Sequence, residues 1–151
     1  MIKTRKREKE IAVAEGNTKK QRPSSIGLAE LESILGKVFT HHNCYSSPDV
    51  YQIVGWTKKT ETGEAKRQIV IVRPVKFNSK DYPGGGNGTI DKSDIMKVES
   101  VVYNNQNNNY QKMTLKRFIN WKEQEDVVIT SREKSFQIEN DLDRVYNWCE
   151  Y

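Results

Sequence analysis

Residues Val50–Phe77 constrain the fold more than any other stretch of this chain. They read VYQIVGW, then TKKTETGEAKR, then QIVIVRPVKF, so two apolar runs rich in β-branched residues flank a charged segment centred on Thr62 and Gly63. This pattern is typical of two antiparallel strands joined by a turn. We therefore predict a long β-hairpin as the organising element of the domain.

The second strand of this hairpin, Gln68–Val72, is apolar at almost every position. A continuous apolar run predicts that both faces of the strand are covered, which in a small domain favours a curled sheet over a flat one. Further short strands are predicted at 37–40, 95–103, 110–113, 127–130 and 135–138. The expected fold class is α+β, with a strongly bent antiparallel sheet or a small, partly open β-barrel of about five or six strands.

Three short helices complete the predicted fold, because apolar residues recur at helical spacing after residues that cap helices. The expected N-caps are Ser24 or Ser25, Thr114, and Asn140 or Asp141. The apolar faces consist of Leu28, Leu31, Ile34 and Leu35 before Gly36; of Leu115, Phe118 and Ile119; and of Leu142, Val145, Tyr146 and Cys149.

Three segments are predicted as loops, the first of them His41–Asp49. Asn78–Asp94 contains a run of glycines, but no Gly-Lys-Ser/Thr follows it and the third glycine of a dinucleotide fingerprint is missing. We interpret it as a flexible loop without a phosphate-binding role. Asn104–Asn109 is almost entirely asparagine and is expected to join the strands at 95–103 and 110–113 into a second hairpin.

The net charge of the chain is concentrated at its N-terminus. Of 25 basic and 20 acidic residues, positions 1–22 hold eight and three, which leaves 17 of each in the remainder. This segment has no sustained apolar periodicity and ends in Arg22-Pro23-Ser24-Ser25. We therefore predict a basic N-terminal arm at 1–24, disordered in isolation, followed by a single compact domain at 25–151.

The basic arm is the strongest functional signal in the sequence. Clustered cations on a flexible chain neutralise phosphates without needing a folded surface. Two alternatives stay open, namely a nuclear import or protein-docking signal, relevant in a eukaryotic host or its virus, and a merely solvated tail. The candidate phosphate contacts in the arm are Lys3, Arg5, Lys6, Arg7, Lys9, Lys19, Lys20 and Arg22.

The tip of the predicted hairpin offers a second basic cluster: Lys58, Lys59, Lys66 and Arg67. Cations beside exposed aromatic rings form a typical platform for single-stranded nucleic acid. The neighbouring rings, Tyr51 and Trp56, are five residues apart, so in a regular strand they lie on opposite faces and only one of them can face a ligand. The alternative is a solvated charged loop with one ring in the core.

The segment His41–Cys44 brings two histidines and a cysteine together in a predicted loop. Zinc binding with Cys149 is disfavoured, because the spacing matches no recognised ligand pattern. General acid–base or Cys–His nucleophilic chemistry would need a third, orienting group that the sequence does not identify. We predict no metal, no cofactor and no catalytic residue. Two widely spaced cysteines and no membrane or export signal favour reduced thiols in an intracellular protein, cytoplasmic or nuclear.

The sequence thus favours a non-enzymatic nucleic-acid-binding protein that holds the phosphate backbone of RNA or DNA with its arm and hairpin tip. One alternative is a protein-interaction or structural component, including a viral one, that docks through the neutral body and the acidic C-terminal end. The other is a small hydrolase that uses His41, His42 and Cys44.

Overall fold

The computed structural model describes residues 24–104 and 109–149, so the predicted arm, apart from Ser24, and the centre of the asparagine-rich loop lie outside it. In this part of the chain there are nine strands and two helices. The strands are β1 (Val38–His41), β2 (Asp49–Trp56), β3 (Arg67–Pro74), β4 (Phe77–Tyr82), β5 (Gly85–Ile90), β6 (Gln111–Ile119), β7 (Glu125–Ser131), β8 (Lys134–Ile138) and β9 (Tyr146–Cys149). The helices are α1 (Leu28–Ile34) and α2 (Lys58–Thr62), and Lys92–Asp94 forms a 3₁₀ turn. Neither helix in this part of the chain has the length and apolarity needed to cross a bilayer.

Six strands form a closed antiparallel barrel in the order β1, β2, β3, β6, β7, β8. The barrel closes because β8 pairs with β1, which places Phe39 opposite Ile138. The prediction of a bent, barrel-like sheet is therefore confirmed, but the barrel is closed rather than partly open. Closure satisfies the backbone groups of both outermost strands and leaves no free edge.

The main hydrophobic core fills the barrel interior. Side chains alternate between the two faces of a strand, so every second residue points inward. The large side chains that are fully buried there include Phe39, Ile53, Trp56, Leu115, Ile129 and Phe136. Their neighbours in sequence point outward, and it is this outer surface that carries the charged residues of β3 and β6.

A β-bulge in β2 overturns the expected placement of its two aromatic rings. The register with β3 shifts between Ile53 and Gly55, so Tyr51, Ile53 and Trp56 lie opposite Pro74, Val72 and Val70, which share one face of β3. An extra residue in one strand reverses the alternation beyond it. Tyr51 and Trp56 therefore lie on the same face, and both pack in the barrel core.

The outer faces of the first barrel strands are covered by other segments. The sheet β4–β5–β9 packs on β1 and β2 and forms a second core with them. Its buried residues are Val38 of β1, Val50 of β2, Val75 after β3, Ile90 of β5, and Tyr146 and Trp148 of β9. Residue Val102 lies against β2, since its carbonyl accepts from the Trp56 N–H at 3.0 Å and its own N–H donates to the Val54 carbonyl at 3.1 Å.

The predicted double-sided burial of the second hairpin strand is confirmed for Val70 to Val72, whereas Ile69 is 38% exposed.

Two of the three predicted helices are strands. The residues from Thr114 to Ile119 lie in β6, and Tyr146–Cys149 forms β9. The strand β6 pairs with β3 on one side and β7 on the other, so sheet hydrogen bonds satisfy its backbone and local helical spacing does not decide its structure. The first predicted helix is confirmed as α1, with Gly36 at φ +85° just after it, although its N-cap is Gly27 and not Ser24 or Ser25.

The predicted loop at 78–94 and the predicted strand at 95–103 are also wrong. Residues 77–90 form the β4–β5 hairpin, whose glycines let β9 approach: a Cβ at Gly85 would overlap the carbonyl of Trp148. The segment 95–103 has a single bridge, between Val102 and Gly55, so it does not form a hairpin with β6. The β4–β5 hairpin was missed because its strands, FNSKDY and GGNGTI, are polar or rich in glycine, and 95–103 was misassigned because its partner, Gly55, is distant in sequence.

Candidate nucleic-acid interface

The outer surface of β3, β6 and β7 carries a row of basic and hydroxyl side chains. Arg67 lies directly opposite Lys116, and Ile71 lies opposite Lys112. Between these two pairs, Ile69, Thr114 and Thr130 lie side by side across the three strands. The intervening residues Val70, Met113 and Leu115 face the barrel core, so the alternation of the strands sends the cations outward.

A groove of about 400 Å³ lies on this surface. It is lined by Thr57, Ile69, Lys112, Met113, Thr114, Thr130, Ser131 and Arg132. No acidic residue occurs among these lining residues, and four of them carry hydroxyl groups. Lysine, arginine, serine and threonine side chains are the usual partners of phosphate oxygens in nucleic-acid complexes. We define the basic face as this groove together with Arg67 and Lys116.

The cations of the basic face have no carboxylate partner. Within residues 24–104 and 109–149, eight ion pairs form, and none includes Arg67, Lys112, Lys116 or Arg132. Like charges directly opposite each other in a sheet cost stability. The pairing of Arg67 with Lys116 therefore has a cost that no ion pair in the described part of the chain offsets.

The hairpin tip adjoins the basic face but differs from its prediction. Its residues Lys58–Thr62 form α2, and only part of the basic cluster is available. The Lys58 ammonium lies 3.7 Å from the centre of the Tyr103 ring and 3.9 Å from Glu61, so it has partners within the protein. Lys59 and Lys66 are exposed and have no ion pair in the described residues. The predicted aromatic platform does not form in the described residues, because Trp56 is fully buried and the half-buried Tyr51 ring packs edge-on against Phe136.

Glu61 fixes the orientation of α2. Its Oε2 accepts hydrogen bonds from Tyr103 Oη at 2.6 Å and from Trp56 Nε1 at 3.1 Å. These hydrogen bonds lower the pKa of the Glu61 carboxyl, and the same contact raises the pKa of Tyr103. The tip is therefore held to the barrel by an ionised carboxylate, which leaves Lys59 and Lys66 to face solvent.

Three basic residues of this surface were not predicted as site residues: Lys112, Lys116 and Arg132. The signal for the first two was present, since apolar Met113 and Leu115 alternate with polar Lys112, Thr114 and Lys116. Alternation of apolar and polar residues indicates a strand with one solvent-exposed face. Arg132 follows β7 in a tight turn at φ +58°, and nothing local in the sequence connects it with Lys112.

The histidines predicted as an alternative site lie elsewhere, on a cleft of about 580 Å³ beside β1, β8 and β9. In this cleft Glu139 Oε1 accepts from Tyr146 Oη and pairs with Arg144 Nε, both at 2.7 Å. Burial raises the pKa of Tyr146 to about 12. Burial also lowers the pKa of His42, and its Nε2 is buried without a hydrogen-bond partner. These contacts bind Glu139, Arg144 and Tyr146 to one another.

Cys44 does not join the histidines. The cleft is lined by residues other than Cys44, and no hydrogen bond connects its thiol to His41 or His42 in the described part of the chain. Its carbonyl accepts instead from the Cys149 N–H at 3.0 Å, and both thiols are free and exposed. Among residues 24–104 and 109–149, no group of three or more histidine, cysteine, aspartate or glutamate side chains is placed to hold a metal ion.

The acidic C-terminal region is partly neutralised by the fold. Glu125 pairs with Arg117, Glu139 with Arg144, and Asp143 with Lys92. This region therefore does not present a continuous row of free carboxylates, in contrast to the unpaired cations of the basic face.

The described residues thus define a closed six-stranded antiparallel β-barrel with an unpaired basic surface on one side. No protein-family model, no curated protein and no solved structure matches this chain. Of the surfaces above, the basic face combines free charge, hydroxyl groups and concave shape, whereas the charged groups of the histidine cleft are largely bound to one another.

Proposed function

We propose that this protein binds nucleic acid without reacting with it, and that the sugar-phosphate backbone of RNA or DNA lies along the basic face. The observation that carries the proposal is the cross-strand pair of Arg67 and Lys116, which has no acidic partner in the described residues. This pair lies next to a groove lined by two more cations and four hydroxyl groups. Neutralising phosphates with such side chains releases counterions and provides affinity without sequence specificity.

The point at which the basic arm joins the body supports a continuous binding surface. Ser24 Oγ donates to Glu125 at 3.1 Å, and the Ser25 carbonyl accepts from Arg117 at 3.3 Å. Ile26 donates from its N–H to the Ala65 carbonyl at 2.7 Å, two residues before Arg67. Residues 24–26, which directly follow the arm in sequence, therefore lie near the Arg67 and Lys116 end of the basic face.

A salt titration of the full chain tests the proposal. Labelled RNA, single-stranded DNA and duplex DNA are titrated over a range of salt concentrations. We expect affinity to fall steeply with salt, and the logarithmic slope to become shallower by about 0.7 to 0.9 for each phosphate contact removed. If no affinity for any of the three probes depends on salt, the proposal is wrong.

Two charge-neutralised variants separate the contributions of body and arm. In the first, Arg67→Ala and Lys116→Ala remove two cations from the basic face; in the second, glutamine replaces the eight basic residues of the arm. The matched control is Lys76→Ala with Lys80→Ala, which removes the same charge from two exposed residues beside the smaller sheet. We expect the face variant to bind more weakly than the control. Equal affinities of these two would assign the binding to the arm alone.

A further inference from the structure

Trp121 is the one exposed tryptophan of the chain. It is 87% exposed, whereas Trp56 is fully buried and Trp148 is 4% exposed. Leaving an indole ring in water forgoes the stabilisation that its burial would give. Tryptophan placed in this way is common where a protein contacts a ligand or partner.

The turn that carries Trp121 is closed by hydrogen bonds of Asn120. Asn120 Oδ1 accepts from the N–H groups of Lys122 at 2.9 Å and Gln124 at 3.0 Å, and its side-chain amide donates to Asp126 at 2.8 Å. The Asn120 backbone N–H donates to the Gln124 carbonyl, and the Asn120 carbonyl accepts from the Glu123 N–H, both at 2.8 Å. These bonds stabilise the turn from which the indole projects into solvent.

The position of the turn connects Trp121 to the basic face. Strand β6 runs from Lys112 through Lys116 to Ile119 and enters this turn directly. At about 3.4 Å per residue, β6 from Lys112 to Ile119 spans about 24 Å, with Lys112 and Lys116 on its outer face and the exposed ring in the turn beyond its end. The Lys122 ammonium lies 5.0 Å from the centre of that ring, which adds a cation beside it.

We infer that the basic face takes single-stranded nucleic acid and that an unpaired base stacks on Trp121; this inference rests on the proposed function. Aromatic rings stack on the faces of bases, which a duplex keeps covered, and a cationic track beside such a ring is typical of single-strand sites. The length of the track suits a strand of a few nucleotides.

The test uses intrinsic fluorescence of the full chain and three probes: a strand of about 12 thymidines, an abasic strand of the same length, and the matching duplex. The abasic strand keeps the phosphates and lacks bases. We expect the thymidine strand to quench tryptophan emission and to bind about tenfold more tightly than the abasic strand. The duplex is expected to leave the emission nearly unchanged.

Substitution of the ring identifies the stacking residue. Trp121→Ala should remove the preference for bases while leaving the salt dependence unchanged, and Trp121→Phe, which keeps a ring, should retain part of the preference. Tyr45→Ala is the matched control, since Tyr45 is 62% exposed in the segment between β1 and β2.

The outcomes separate the two proposals. If the full chain binds the thymidine and abasic strands equally and its emission stays constant, or binds duplex most tightly, the inference is wrong and the proposed function stands. A preference for bases that survives in Trp121→Ala would equally overturn the role of this ring. If neither single strand binds in a salt-dependent manner and the duplex also fails to bind, the proposed function is wrong and the inference fails with it.

Discussion

Arg67 on β3 lies directly opposite Lys116 on β6, and neither side chain has an acidic partner in the described residues. Two cations directly opposite each other on neighbouring strands repel each other, so this pair opposes folding. A bound phosphate would remove the repulsion. The pair therefore connects a stability cost in the free protein with the binding proposed for this surface.

The first prediction is that Lys116→Ala leaves the free protein as stable as the wild type or more stable, by up to about 0.5 kcal/mol, because it removes that repulsion. Urea unfolding measures the change. Lys80→Ala, an exposed lysine in β4, is the control and should change stability little. A clear loss of stability in Lys116→Ala would show that this side chain has a structural role.

The second prediction concerns Gly55, where the bulged strand meets Val102. A Cβ at this position would overlap the Val102 carbonyl, which is backbone and cannot rotate away. Gly55→Ala should therefore break the two hydrogen bonds between Val102 and β2 and destabilise the protein by about 2 kcal/mol or more.

Gly63→Ala is the comparison for that measurement. The nearest atom to a Cβ at Gly63 is the Lys59 carbonyl oxygen at 3.2 Å, in an exposed turn that can adjust. Thermal unfolding of both variants should show a much larger decrease in Tm for Gly55→Ala. Similar Tm values would contradict the close packing of 102 on β2.

The third prediction concerns Gln52, a fully buried amide. Its Nε2 donates to the carbonyls of Gly36 at 3.1 Å and Met96 at 2.7 Å, and its Oε1 accepts from the Met96 N–H and from Arg73, both at 3.0 Å. Gln52→Leu would remove the partner of the Gly36 carbonyl and of both Met96 backbone groups, while Arg73 would keep its contacts with Asp94. We expect a loss of about 2 to 4 kcal/mol in the free energy of unfolding.

Gln137→Leu is the control for the change of side chain, since Gln137 is exposed on β8. Chemical denaturation of both variants gives the comparison. A small effect at Gln52 would mean that the segment around Met96 moves away and its polar groups reach water.

The fourth prediction is a pH dependence that arises at His42. Burial lowers its pKa below the ordinary value of 6.5, and the neighbouring His41 lowers it further, against a backbone hydrogen bond with Ser46 that raises it. The unfolded chain therefore binds a proton at a higher pH than the folded one. The stability associated with neutral His42 is present above pH 6.5 and is lost as the pH falls through the folded-state pKa.

His42→Phe should remove this component. We expect wild type and variant to differ in the slope of stability against pH just below pH 6.5 and to run parallel above it. Unfolding measured at a series of pH values provides the slopes, and NMR titration of the His42 ring gives its pKa directly. A His42 pKa at or above 6.5 would refute the assignment.

Local pattern was sufficient for the central hairpin and the first helix, but not for the β4–β5 hairpin, whose strands are polar or rich in glycine. The hairpin of β2 and β3 follows from two β-branched runs around a short charged segment, and α1 follows from apolar residues at helical spacing before Gly36. The same reasoning failed at Thr114–Ile119, because Leu115, Phe118 and Ile119 fit a helical period while the full segment also alternates. Pairing with β3 and β7 decides between the two.

For the same reason, only part of the basic face could be predicted from the sequence. Lys66 and Arg67 belong to the hairpin and were predicted as site residues, whereas Lys116 becomes part of the surface only when β6 pairs with β3. The bulge at Ile53–Gly55 had the opposite effect, since it removed Tyr51 and Trp56 from the predicted platform. Trp121, a single aromatic residue in a polar segment, has no sequence pattern that would distinguish it from a core residue.

The sequence by itself determined the central hairpin, a barrel-like antiparallel sheet and the concentration of net positive charge before residue 23. Hydrophobic alternation and charge are properties of neighbouring residues, so they can be read without the fold. Only the tertiary structure decided that β8 closes the barrel on β1, that β9 is a strand, and that Arg67, Lys112, Lys116 and Arg132 share one face. These features depend on backbone hydrogen bonds between segments far apart in the chain, whose pairing is selected by the packing of the whole core and not by any local preference.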